Sequence, residues 1–250
     1  MGSGEQDGAL EVVKATSDPI HDIGGAIYLS QEVFAWAAEG GWSNPFAFYL
    51  AGRAGMLGEV GGDVAVSALG WFQPDAAGAM YEEGAAVAGA RAAAARMAEA
   101  HGRWGELHYG TVAGIDEIAA VTEELVDGLE GSGIPLFVGW RAAERAGSAA
   151  GRTAQLMQIL REWRGGLHLV ATTAVGLSPL EAILTNEGTG QAKFFGWPEP
   201  FPDVSAIKAK HDEAEAITDR LCASGLAAAL DPAHYGALTA GVQALRAATP

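Results

Sequence analysis

The run DAAGAMYEEGAAVAGARAAAARMAEA, Asp75 to Ala100, is alanine-rich and free of proline, with Tyr81, Val87, Arg91 and Arg96 spread along it. Alanine loses no side-chain entropy on entering a helix and is the strongest helix former, so the run predicts one long helix. The rest of the chain has the same character. Ala and Gly are abundant and β-branched and aromatic residues sparse, which favours helices packed through small residues over strands. The expected class is all-α, predominantly a multi-helix body.

With 250 residues, 49% hydrophobic and 18% charged, the chain can bury a core unaided and lacks the composition of a disordered protein. Fifteen basic residues against 31 acidic ones leave a formal charge of −16, which repels phosphate backbones and anionic membrane surfaces. Neither nucleic acid nor a membrane is an expected partner. Met1 to Gly8 has no basic region and no apolar core of a signal peptide, and no stretch holds 18 uninterrupted apolar residues, so a cytoplasmic location is expected. Cys222 is the only cysteine, which excludes an intrachain disulfide and reads as a small buried hydrophobe.

Residues 1–8 (MGSGEQDG) read as a flexible N-terminus, 9–197 as a helical body and 198–250 as a C-terminal subdomain, with the boundary in GWPEPFPD, Gly196 to Asp203. Asp18-Pro19 reads as a cap and first turn of a helix running to Gly40-Gly41, and Asn44-Pro45 as the start of a second. A helix is expected over roughly Asp116 to Leu129. Another should run from near Pro135 to Trp163, stopped by Gly165-Gly166. Ser178-Pro179-Leu180-Glu181 is a complete helix start, and a charged helix should open near Val204. The frame GWxxPF occurs at Gly41 and again at Gly196, and both copies read as helix entries in which a tryptophan packs beside a proline.

The segments PIHDIGGAIYLSQE (Pro19 to Glu32), FYLAGRAGMLGEVG (Phe48 to Gly61), LREWRGGLH (Leu160 to His168) and LTAGVQALR (Leu238 to Arg246) resemble, in this order, an actinobacterial family often labelled helix-turn-helix. The resemblance implies a helical body with a winged-helix-like C-terminal subdomain and carries no particular activity. Within the matching segments its recurring polar residues are His21, Tyr28, Arg53, Arg161, Glu162, Arg164 and His168. The chain departs from the family at Trp163, where a histidine is common, which weakens a three-histidine metal site.

Chemistry concentrates on the same residues. His21 in a first helical turn feels the positive end of the macrodipole and stays neutral near pH 7, able to accept a proton. Tyr28, seven residues on, lies two turns along the same face. Alternatively both are packed core groups with satisfied polar atoms. Arg53 lies among Phe48, Tyr49, Leu50 and Met56, where a guanidinium must be paired or face an anion; Glu59, Glu32 or a ligand carboxylate are the candidates. Arg164 and His168 flank Gly165-Gly166, where a break would aim both across a cleft. His101 and His108 read as exposed loop residues, and His211 and His234 as solvated.

If His21, Tyr28 and His168 converge as catalytic groups, with Arg53, Arg161, Glu162 and Arg164 binding substrate, the site suits cofactor-independent proton transfer on a small acidic or carbonyl-bearing molecule: a lyase, isomerase or cyclase. The expected partner is a small-molecule ligand. Two alternatives stay open: a non-enzymatic interaction or regulatory module with a degenerate winged helix, which admits a homodimer, and a haem- or metal-binding protein through His21 or His168.

Overall fold

The computed structural model describes residues 3–250, and these form thirteen α-helices and no strand. They are α1 (Ser3–Tyr28), α2 (Gln31–Glu39), α3 (Pro45–Ala54), α4 (Gly62–Leu69), α5 (Pro74–Ala88), α6 (Ala90–Tyr109), α7 (Ile115–Gly128), α8 (Pro135–Arg141), α9 (Ala149–Ala174), α10 (Pro179–Asn186), α11 (Gly188–Phe194), α12 (Lys208–Ala229) and α13 (Tyr235–Ala248). The all-α class follows from the composition. Among the described residues no single helix is long and apolar enough to cross a membrane.

Helix α9 is the axis: α1, α6, α7, α8 and α12 all pack against it. Small residues make the close approaches. A side chain on Gly105 of α6 would collide with the Ala150 carbonyl of α9, so the two backbones lie nearly in contact there. Trp104, Trp140, Tyr28, Tyr109 and Phe137 are fully buried around this axis, each stabilising by on the order of 1.5–3 kcal/mol relative to exposure.

Several sequence expectations are corrected. Helix α1 does not begin at Asp18-Pro19: it starts at Ser3 and runs through Pro19, ending at Tyr28, with Ser30 capping α2 through the Val33 N–H. Of the flexible N-terminus expected at 1–8, Met1 and Gly2 lie outside the described residues, and Ser3 to Gly8 belong to this helix. Proline removes the N–H that would bond the Ala15 carbonyl four residues back, and the Gln243 amide of α13 donates to that carbonyl instead at 2.8 Å.

The long helix over Asp75 to Ala100 is divided at Gly89, whose φ of 96° is open to glycine at little cost. Its second half is capped in trans, because the Glu59 carboxylate accepts from the N–H groups of Ala90 and Arg91 at 3.1 and 3.0 Å. Helix α6 then continues through the presumed loop, so His101 is a fully buried helical residue.

The helix expected from Pro135 to Trp163 is instead α8 and α9, and α9 passes straight through Gly165-Gly166. A side chain at Gly166 would collide with Ile134, so this glycine marks a close packing contact rather than a stop. Arg164 and His168 therefore lie one turn apart on a continuous helix.

The tail 198–250 consists of α12 and α13, with no strand among the described residues to form a wing. Both helices pack on α1 and α7, and Cys222, Leu226, Leu238 and Val242 belong to the same core cluster as Val12 and Leu156. Of the two GWxxPF copies, Trp42 precedes α3 as read, but Trp197 follows the end of α11. Each indole N–H nonetheless donates to a carbonyl of another segment, Gly84 at 2.7 Å and Trp71 at 2.8 Å.

Candidate functional site

Helices α1, α3, α9 and α12, with the α10–α11 pair, line an open cavity of about 600 Å³. Its walls include His21, Tyr28, Arg53, Arg161, Arg164 and His168, six of the seven polar residues singled out from the sequence. The seventh, Glu162, is buried beneath it.

Glu162 is the hub of the inner end. Its carboxylate takes a two-pronged contact from Arg53, Nε–Oε1 2.6 Å and Nη2–Oε2 2.9 Å, and Oε1 also accepts from Gln158 Nε2 at 2.5 Å. Arg53 donates a further bond to the Tyr49 hydroxyl at 3.0 Å. Burial works against the Glu162 charge, but Arg53 outweighs it and leaves the carboxyl below its ordinary range. The partner of Arg53 is thus Glu162, and neither Glu59, which caps α6, nor Glu32, which faces His108.

Tyr28 is 1% exposed, with its hydroxyl donating weakly to Glu162 Oε1 at 3.5 Å. Burial, and then the Glu162 charge, push its phenol well above the ordinary value, so it is a proton donor and not a base near neutrality. His21 presents its ring to the cavity. The residue is solvent-exposed, yet the protein groups crowding its ring, and then the Arg161 charge, lower its pKa, so the imidazole is neutral at pH 7. The sequence argument reached neutrality from a helix N-terminus; the structure places His21 in the body of α1, and the causes are the protein groups crowding its ring and the Arg161 charge.

The outer end is a second polar cluster. Arg164 pairs with Glu215 at 2.9 Å and lies 3.7 Å from Asp219. His168 shares a hydrogen bond with Thr218 through Nδ1 at 2.9 Å and turns Nε2 towards Glu215 at 3.5 Å, its ring 5.3 Å from that of Trp71. Burial lowers the His168 pKa in spite of the Glu215 carboxylate. Cys222 lines the wall as a free thiol, pushed up to about 12 by burial.

Sequence reading missed His211, Glu215, Glu187 and Trp71, all of which line the cavity. His211 had read as solvated on a charged helix, yet it is buried, with Nε2 3.9 Å from Glu215. The signal was present: His211, Ala214, Glu215, Thr218 and Cys222 recur at helical spacing on one face of α12. His101 is likewise no loop residue: it packs edge-on to Tyr28 and Trp140, bonded through Nδ1 to the Met97 carbonyl. Among the described residues no three His, Cys, Asp or Glu side chains stand together in a way that holds a metal ion.

No curated protein and no solved structure matches the chain. Residues 12–249, nearly all of it, match the helix-turn-helix family. The chain belongs to the helix-turn-helix family.

Proposed function

We propose that this protein binds a small organic molecule in the cavity between α1, α9 and α12 and acts on it by proton transfer without a cofactor. The observation that carries the reading is the convergence of six polar residues from three separate helices on one cavity. A volume of about 600 Å³ lies within the range of small-molecule sites, which join apolar walls to a few placed polar groups. In this reading the neutral His21 ring takes a proton from the bound molecule, His168 serves as a second imidazole, and Tyr28 donates a hydrogen bond where negative charge develops. Lyase, isomerase or cyclase chemistry fits that set. Arg161 and Arg164 orient the substrate, while Arg53 and Glu162 hold the wall in place.

Native mass measurement of the purified protein tests the reading. A small molecule that co-purifies and is lost from a His21→Ala, His168→Ala double variant supports it. An empty protein, with no binding difference between the two forms, sinks it.

A second reading is favoured by the family match: a regulatory module descended from a nucleic-acid binder, dimeric through its tail. The charge of −16 opposes nucleic-acid binding, as do Asp212, Glu213, Glu215 and Asp219 on α12. Titration of the protein with duplex DNA at low salt, alongside a mass measurement across protein concentration, separates this reading from the first.

A further inference from the structure

One guanidinium in the cavity lacks the acceptors that all the others have. Arg161 Nη1 lies 3.8 Å from Glu162 Oε1, beyond hydrogen-bonding distance, and that oxygen already accepts from Arg53, Gln158 and Tyr28. Arg161 Nε, like Arg164 Nε, is buried with no hydrogen-bond partner, but Arg164 bonds Glu215 through Nη2. A single carboxylate therefore stands between two cations, and one positive charge at the inner end is left over. Arg164 at the outer end, by contrast, faces both Glu215 and Asp219.

The side chain of Arg161 is also held in a prepared slot. Its guanidinium lies over the Tyr28 ring, 5.7 Å from the centroid, and its stem crosses α1 at Gly24, where any side chain would collide with Arg161 Cδ. Glu187 lines the same cavity and feels the Arg161 charge but forms no ion pair with it. The cavity also has apolar walls, among them Trp71, Leu160, Ile183 and Phe195.

We propose that the ligand is an organic carboxylate, its head group on Arg161 beside His21 and its apolar body against Trp71 and Phe195. This rests on the ligand-binding reading above and names its substrate class. A planar carboxylate matches the guanidinium fork and supplies the missing acceptor through a charge-assisted, two-pronged contact. The His21 ring, neutral at pH 7, contributes an N–H without competing for the charge. A chain with a net charge of −16 repels anions at long range, so selection rests on this local pole.

Calorimetric titration with octanoate and 2-naphthylacetate, each against its primary amide, tests the proposal on the wild type and three variants. Arg161→Gln removes the charge, Gly24→Ala displaces Arg161 while keeping it, and Arg103→Gln makes the same charge change on the surface. The carboxylates are expected to bind the wild type and Arg103→Gln at least about tenfold more tightly than the amides, as expected for one charge-assisted contact. Arg161→Gln should abolish that preference and Gly24→Ala reduce it; if Arg161→Gln fails to fold, Gly24→Ala decides. Amides that bind as tightly as the carboxylates, or a preference that survives both substitutions, overturn the carboxylate while leaving the cavity reading intact. No binding of any of the four compounds at millimolar concentration overturns the proposal, and an empty protein in the native mass measurement shows whether the cavity reading falls with it.

Discussion

Arg53 and Glu162, 109 residues apart in sequence, form a buried two-pronged ion pair that ties α3 to α9 at the base of the cavity. Both side chains are nearly sealed from solvent, at 8% and 2% exposed, so removing one partner leaves an uncompensated buried charge. Replacement of Glu162 by Gln is expected to lower unfolding stability by about 3–5 kcal/mol in urea titration. Adding Arg53→Met should recover part of that loss, with a coupling of at least about 1 kcal/mol in the double-mutant cycle. Strict additivity would show that the two groups do not depend on each other.

The fit of Gln243 to the proline in α1 gives a second cycle. Gln243 Nε2 bonds the Ala15 carbonyl that Pro19 leaves without a donor. The contact is exposed and water can replace it, so Gln243→Ala should cost only about 0.5–1 kcal/mol. In a Pro19→Ala background the residue 19 N–H regains its place in the helix, and the same substitution should then cost close to nothing. Equal losses of thermal stability in the two backgrounds would refute the link.

His101 makes acid stability testable. Its ring is fully buried, and burial lowers its pKa to about 4 from 6.5. Between those values the unfolded chain binds a proton that the folded ring refuses. Stability therefore falls as pH drops from about 6.5 towards 4, by up to about 3 kcal/mol from this residue. In His101→Phe, which keeps an aromatic ring between Tyr28 and Trp140, the loss between pH 7 and pH 4 should be smaller by that order. Parallel stability curves for the two proteins would count against it.

How far the sequence reveals this protein depends on the kind of signal. Capping residues read correctly where they act locally: Asn44 accepts from the N–H groups of Phe46 and Ala47, and Ser178 and Glu181 form a reciprocal capping box. Glycine and proline misled where tertiary contacts decide. Gly166 lies within a continuous helix and leaves room for Ile134 packed against it, and Pro19 is tolerated because Gln243 serves the freed carbonyl. The α5–α6 break depends on Glu59, distant in sequence, which no propensity argument registers. For the site, polar residues set in apolar helices, such as His21 and Arg53, were recognisable. His211 and Glu215 were hidden among other charges on α12, and only the period of their spacing gave them away.

The α10–α11 pair is expected to open more readily than the other helices bordering the cavity. Ile183, Leu184 and Ala192 form a small hydrophobic cluster separate from the main core, supported by Leu180, Trp197 and Phe201. Phe194, at the rim of the cavity, is 46% exposed. Little apolar area therefore holds these helices down, and local opening costs less where fewer buried contacts must break. Hydrogen exchange should be fastest in residues 179–194 among the helices bordering the cavity and slowest in α9. The Ser178 cap is the main local tie on α10, so Ser178→Ala should accelerate exchange there by a factor of about five, matching the loss of about 1 kcal/mol, while α9 stays unchanged. Saturation with a bound ligand should slow exchange in the same segment, because Ile183, Asn186, Glu187 and Gln191 face the occupied space. Exchange in residues 179–194 as slow as in α9, or unaltered by the cap, would mean that the pair belongs to the rigid body and that entry to the cavity lies elsewhere.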